Sequence, residues 1–249
     1  MNRLNYSSAV ILFAGIACAA GNVVAGQVPL PSKVPNRVFV EAAPAAHFGA
    51  DFRPMTVDTC TKKAYDAMSD QKFSEGRFAG PSVWGFNANS FVLVRCVSQN
   101  GGVFIEVFAA SRSNSEAERL RNEIRIRVFD GRAPNPDVDY PGFFSVRPFS
   151  GERVENHPPV HWGYDTRPKS VQSCMSAAKL AMSRTGLTSS TIGDSVMWGL
   201  SRGVTVLVSC VPIETGVSIL VAATSQDSAM AEDFRNRVRT ITFDSPVFD

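Results

Sequence analysis

One feature constrains this chain more than any other: its sequence repeats. The block from His47 to Pro54 (HFGADFRP) recurs from His161 to Pro168 (HWGYDTRP), an offset of 114 (161 − 47). The offset then holds without a gap. Cys60 meets Cys174, Met68 meets Met182, Trp84-Gly85 meets Trp198-Gly199, and Cys96 meets Cys210. Arg121-Asn122 meets Arg235-Asn236, and Phe129-Asp130 meets Phe243-Asp244. Roughly a third of the aligned positions are identical, so the chain carries two copies of one folding unit.

The boundaries follow from the repeat and from composition. The expected organisation is a signal peptide over 1–25, a tether over 26–35, copy one over 36–131, a linker rich in Pro and Gly over 132–143, and copy two over 144–249. Arg3, the apolar run from Ala9 to Ala20 and the small residues after it have the layout of a secretory signal. No later run is apolar enough to cross a membrane, so the mature chain is expected to be secreted, in a bacterial periplasm. Lipid anchoring at Cys18 is the lesser alternative. The triplet before it, Gly15-Ile16-Ala17, departs from the usual lipoprotein pattern.

Periodicity places the elements. Val57, Cys60, Ala64, Ala67 and Met68 form a helical stripe with Thr56 or Asp58 as cap. Arg77 to Phe86 reads as one strand ending in Trp-Gly. Ser90 to Ser98 and Val103 to Ala109 read as a hairpin around Gly101-Gly102, and Ser113 to Arg127 as a closing helix. A short strand near Arg37 to Glu41 completes the list. The expected fold is α+β: two tandem β-α-β-β-β-α modules, each an antiparallel sheet with helices on one face.

Alternation sharpens this. Val92, Val94, Cys96, Val103, Ile105 and Val107 share one face, and copy two repeats that face identically with Val206, Val208, Cys210, Val217, Ile219 and Val221. Cys60 sits on the helix stripe that covers this face. The predicted disulfides are therefore Cys60–Cys96 and Cys174–Cys210, each closing a loop of about 36 residues, as an oxidising compartment permits. The opposite face differs between copies. Phe91, Arg95, Phe104, Glu106 and Phe108 become Thr205, Ser209, Ser218, Leu220 and Ala222. One expectation is that the two sheets pack face to face, with phenylalanines over small residues. The alternative is an open patch at Phe91, Phe104 and Phe108 that binds a partner.

Chemistry is thinly marked. With 25 basic and 23 acidic residues the net charge is +2, so no basic footprint points to nucleic acid. The pairs His47/Asp51 and His161/Asp165 are candidate binding residues, but their spacing matches no metal signature. They are expected in a loop where Asp51 and Arg53 pair. Trp84 and Trp198 are candidate ligand-stacking residues, expected instead to cap the core beside a tight glycine turn. Glu118, Arg121, Asn122 and Arg125 are expected to form a solvated stripe. Gly193-Asp194-Ser195 resembles the nucleophile block of GDSL hydrolases, yet no histidine follows His161 to serve it. No catalytic set, metal or cofactor is called for. The chain is expected not to be an enzyme and to bind an unknown protein or cell-envelope component. The alternative is a small ligand in the cleft between the copies, since such sites favour domain interfaces.

Overall fold

The repeat builds two sheets. The computed structural model describes residues 43–73, 75–131, 146–148, 158–201 and 203–245. The signal, tether, linker, Cys18 and the strand expected near Arg37 to Glu41 lie outside them. Copy one runs β1 (Ala45–Arg53), α1 (Val57–Asp70), β2 (Glu75–Ala79), β3 (Ser82–Phe86), β4 (Ser90–Gln99), β5 (Gly102–Ser111) and α2 (Asn114–Asp130). After β6 (Val146–Pro148), copy two repeats this as β7 (Val160–Arg167), α3 (Val171–Arg184), β8 (Thr188–Ile192), β9 (Val196–Ser201), β10 (Val204–Ile213), β11 (Gly216–Ser225) and α4 (Ser228–Asp244). The fold is α+β, with two antiparallel sheets and four helices. The strand orders are β1-β5-β4-β3-β2-β6 and β7-β11-β10-β9-β8.

Two expectations on the element order need correction. The stretch from Arg77 to Phe86 is not one strand: it forms the hairpin β2–β3, turning at Gly80 with φ +59°. Gly193 does the same between β8 and β9, also at φ +59°. The block from His47 to Pro54 is not a loop. Its residues through Arg53 lie in β1, paired along its whole length with β5. The strand is hard to recognise because its second face meets a helix through polar side chains, so the alternation of apolar and polar residues is blurred. Val146–Pro148, placed by sequence in copy two, pairs with β2 at the edge of the first sheet.

Three apolar layers hold these elements. In copy one the shared sheet face packs under α1 and α2, with Ala64, Met68, Leu120 and Ile124 buried against Val92, Val94, Ile105 and Val107. Copy two repeats this with Ala178, Met182 and Val238 against Val206, Val208, Ile219 and Val221. Each layer contains one disulfide from helix to strand, Cys60–Cys96 with a Cα–Cα distance of 6.1 Å and Cys174–Cys210 with 6.2 Å. Side-chain caps start the helices: Thr56 Oγ1 accepts from Thr59 N at 3.1 Å, Ser170 Oγ from Ser173 N at 3.1 Å, and Asp227 Oδ1 from Ala229 N at 2.8 Å.

The third layer lies between the sheets. Phe91, Leu93, Phe108 and Ala110 of copy one are buried against Val196, Leu207, Leu220 and Ala222 of copy two. Phe91 and Phe108 are only 2% and 1% exposed. The divergent faces therefore meet, but not simply large over small: copy two brings Val196, Leu207, Leu220 and Trp198 to this layer as well as Ala222. They do not leave an open patch at Phe91 and Phe108, and Phe104 at the margin is half-buried. Burying such faces is worth roughly 1.5–3 kcal/mol per large side chain, which disfavours leaving them to solvent.

Candidate functional site

The polar block kept in both copies explains itself once β1 is a strand. His47, Gly49, Asp51 and Arg53 alternate onto the helix-facing side. His47 Nε2 lies 3.0 Å from Asn114 Oδ1 at the start of α2, and His161 Nε2 lies 2.9 Å from Ser228 Oγ at the start of α4. Arg53 Nη1 donates to Asp51 Oδ2 at 2.6 Å, and Arg167 Nη1 pairs with Asp165 Oδ2 at the same distance. The guanidinium of Arg53 stands 4.8 Å from the Phe129 ring centre, with that of Arg125 at 5.1 Å from the same ring. Copy two matches this with Arg167 at 5.2 Å and Arg239 at 4.7 Å from Phe243. Two distant sequence blocks thus close one strand-to-helix clasp, held by ion pairing and by cations over an aromatic face.

Arg121 and Arg125 belong to this clasp and not to a solvated stripe. A side chain at Gly49 would come within 3.0 Å of Arg121 Cδ and 3.3 Å of Arg125 Cδ, so both arginines lie across bare strand backbone. Burial holds the Arg121 guanidinium below its ordinary range, and the neighbouring Arg125 cation adds to this. His47, Asp51, His161 and Asp165 are brought together with arginines, not with a second metal-binding set. Among the described residues no group of three or more His, Cys, Asp or Glu could hold a metal.

The tryptophans sit in the intersheet layer. Trp84 stacks on Phe91 within copy one at 5.8 Å, whereas Trp198 stacks across on Phe108 at 6.2 Å. Neither stands at a turn. Trp198 is in mid-strand, and the glycine after it faces the helix, where a Cβ at Gly199 would collide with Met182 Sδ.

One buried polar group was not singled out by sequence. Arg95 and Glu106 are directly opposed across β4 and β5, and they point into the intersheet layer. Arg95 Nε donates to Glu106 Oε2 at 2.5 Å, with both side chains 1% exposed. Arg95 Nη1 and Nη2, Glu106 Oε1 and the neighbouring Ser82 Oγ are buried without a hydrogen-bond partner. Ser82 shares their row, being opposite Arg95 on β3. An orphan donor or acceptor in such a place costs about 1–3 kcal/mol. The Tyr164 ring of copy two lies 5.9 Å from the Arg95 guanidinium, and its hydroxyl approaches the Gly80 turn.

A cavity of about 410 Å³ opens beside this arginine. Copy one contributes Val57, Pro81 and the run Arg95 to Gln99. Copy two contributes Tyr164, Thr166, Ile213, Glu214, Thr215 and Ser218. Gln99 Nε2 donates to Pro212 O at 2.8 Å, tying the two hairpins together at its rim. The volume falls within the range of about 300–1,000 Å³ found for small-molecule sites. The signal available in the sequence was the alternation itself, which put Arg95 and Glu106 on a face otherwise carrying Phe91, Leu93 and Phe108.

No family model matches the sequence, and no curated protein matches it. Among solved structures the chain is similar to the di-domain ARO/CYC StfQ from the steffimycin biosynthetic pathway. Identity is 10% over 78% of this chain and 92% of that one, with a TM-score of 0.23. DynU16, from the dynemicin biosynthetic locus, matches at 10% identity over 79% and 95%, with a TM-score of 0.23. The immunity protein TplEi of the T6SS from Pseudomonas aeruginosa matches at 11% identity over 81% and 89%, with a TM-score of 0.20. These likenesses assign this chain no activity. They do correct the expectation that it is not an enzyme: proteins of biosynthetic pathways stand among the matches, so that exclusion is dropped. The two disulfides fit an extracytoplasmic location. No helix among the described residues is long and apolar enough to cross a membrane.

Proposed function

We propose that the protein is a secreted or periplasmic binder of a small ligand, held in the cleft between its two copies. The observation that carries this reading is the 410 Å³ cavity, lined by residues of both copies. A protein-docking surface on the phenylalanine face has lost its support, since Phe91 and Phe108 are spent on packing the sheets. A pocket that needs both copies also gives the duplication a use: neither sheet alone encloses the space. The N-terminal signal layout and the paired cysteines support placing it outside the cytoplasm.

Fragment screening by NMR on the full chain tests the proposal. Bound fragments are expected to shift amides at Arg95 to Gln99, Tyr164 to Thr166 and Ile213 to Ser218. Thr166→Phe puts the copy-one residue, Phe52, at the exposed rim of the cavity, and is expected to abolish those shifts without lowering Tm. Shifts clustered elsewhere, or unchanged by Thr166→Phe, would sink the cleft reading.

A further inference from the structure

We infer that the molecule pairs edge to edge with a second molecule of this chain, through β8. The sides of the two sheets are finished in different ways. At β1 the motif Asp51-Phe52-Arg53 folds back on its own backbone: Asp51 Oδ1 accepts from Phe52 N at 2.8 Å, and Arg53 Nη1 donates to Phe52 O at 2.9 Å. β7 repeats this, with Asp165 Oδ1 accepting from Thr166 N at 2.8 Å and Arg167 Nη1 donating to Thr166 O at 3.2 Å. Main-chain groups engaged in this way, beside charged side chains, make a poor template for an added strand.

The other two sides differ from each other. β2 carries β6 antiparallel, Glu75 to Arg77 against Val146 to Pro148. β8 takes the place of β2 in copy two: Ser190 stands opposite Trp198 as Arg77 stands opposite Trp84, and Thr188 opposite Leu200 as Glu75 opposite Phe86. Among the described residues β8 ends its sheet. The twin position in copy one thus accepts an antiparallel strand. Thr188 to Thr191 are exposed and Ile192 is half-buried. These five residues include no lysine, no proline and no charge of either sign, the means by which sheet edges usually resist pairing.

Charge selects a second molecule as the occupant. Where β2 has Glu75 and Arg77, β8 has Thr188 and Ser190, so two β8 strands lie antiparallel about a two-fold axis with no like charges opposed. Centred on Ser190, the pairing sets Ser190 against its own counterpart, Ser189 against Thr191, and Thr188 against Ile192. Hydroxyl pairs of this kind support antiparallel strands. The Ile192 brought in by the second molecule joins the row of Thr188 and Leu200, a leucine that is 42% exposed. No residue of β8 lines the cavity, so this surface is independent of the cleft.

Sedimentation equilibrium of the full chain tests this, with circular dichroism to follow the fold. The wild-type chain is expected to dimerise. Ser190→Lys sets two ammonium groups against each other at the two-fold axis, and is expected to give a folded monomer because residue 190 is exposed. Ser190→Glu does the same with carboxylates. Mixing the two variants opposes unlike charges and is expected to restore a dimer that neither variant forms alone. A dimer that survives Ser190→Lys places the contact on another surface and overturns the proposal, as does a mixture that stays monomeric. A monomeric wild-type chain overturns it too, and leaves β8 to an extended strand of a different protein.

Discussion

Copy one and copy two put the same strand residues and cysteines under their helices, then part company on the faces they turn to each other. Val92, Val94 and Cys96 answer Val206, Val208 and Cys210, and the clasp of Asp51, Arg53, Arg125 and Phe129 answers that of Asp165, Arg167, Arg239 and Phe243. Across the intersheet layer, copy one supplies Phe91, Phe108, Arg95 and Glu106, where copy two has Thr205, Ala222, Ser209 and Leu220. Residues kept twice build the unit. Residues that differ fit the two units together and furnish the cavity. A change in the first class should act alike in both copies, and a change in the second should have no counterpart.

The largest expected effect belongs to the second class. Glu106→Leu removes the partner of a guanidinium that is buried and already short of hydrogen bonds. Stranding that charge is expected to cost about 3–5 kcal/mol in urea unfolding, whereas Arg95→Met with Glu106→Leu should be neutral or stabilising by about 1–4 kcal/mol. In copy two, Leu220→Val trims one methylene, and its cost should stay near 1 kcal/mol. If Glu106→Leu proves as mild as Leu220→Val, the contrast between the two faces collapses.

Disulfide removal comes next and should be symmetric. Each bridge spans 36 residues, for which chain entropy predicts about 4 kcal/mol. Cys60→Ser with Cys96→Ser and Cys174→Ser with Cys210→Ser are expected to lower stability by similar amounts. A difference of more than about 2 kcal/mol between the two double variants would show that the shared layer is not energetically equivalent in the two copies.

How far the sequence discloses all this depends on which physical signal each element carries. The helix stripes, the β4–β5 hairpin and the cysteine pairing are legible because an apolar period of 3.6 or 2 marks the buried side directly. The strand β1 is not, because its inner face is His47, Gly49, Asp51 and Arg53, a mostly polar set that meets α2 through Asn114 and Arg125 and leaves no apolar alternation. The β2–β3 turn carries a legible signal, the Gly80-Pro81 dipeptide, set inside an otherwise plausible ten-residue strand. The cavity is illegible for a different reason. It exists only where Arg95 meets Tyr164, Thr166 and Ser218 of the other copy, and no local pattern encodes a contact between separate sheets. Its trace in the sequence is a negative one: an arginine and a glutamate on a face that alternation assigns to the interior.

A smaller effect tests the clasp, where the two copies are alike but not identical. Gly49 lies under Arg121 and Arg125 so closely that a Cβ would meet Arg121 Cδ at 3.0 Å, whereas at Gly163 the nearest atom, Arg239 Cδ, is at 3.8 Å. Gly163→Ala is therefore expected to raise stability by about 0.5 kcal/mol, the usual gain from removing a strand glycine. Gly49→Ala must displace the Arg121 stem and should lower it by about 1 kcal/mol. Thermal unfolding separates the two signs. Equal shifts would mean that the arginine layer yields freely in copy one as well.

The smallest effect is one of pH, and it is confined to copy one. In the first turns of α2, Arg119 donates to both carboxylate oxygens of Glu116 at 2.8 Å and reaches Glu123 Oε2 at 2.7 Å. The hydrogen bonds from Arg119 hold the Glu116 carboxyl below its ordinary 4.5, outweighing partial burial. A carboxyl depressed in the folded state stabilises the fold at pH values above 4.5, and that contribution is lost as pH falls through the folded value. Copy two carries Met230, Asp233 and Arg237 at these three positions. Only the single pair Arg237–Asp233 remains, at 3.2 Å, so the counterpart of Glu116 does not titrate. The α2 pairs are half-exposed, so the term should amount to a few tenths of a kcal/mol. Glu116→Gln is expected to remove it, flattening the acid limb of the stability profile below pH 4.5 and leaving stability at pH 7 lower by the same few tenths. Met230→Gln, the matching change in α4, should shift the profile without changing its slope. An unchanged slope in Glu116→Gln would place the acid sensitivity of this chain outside the Glu116–Arg119 pair.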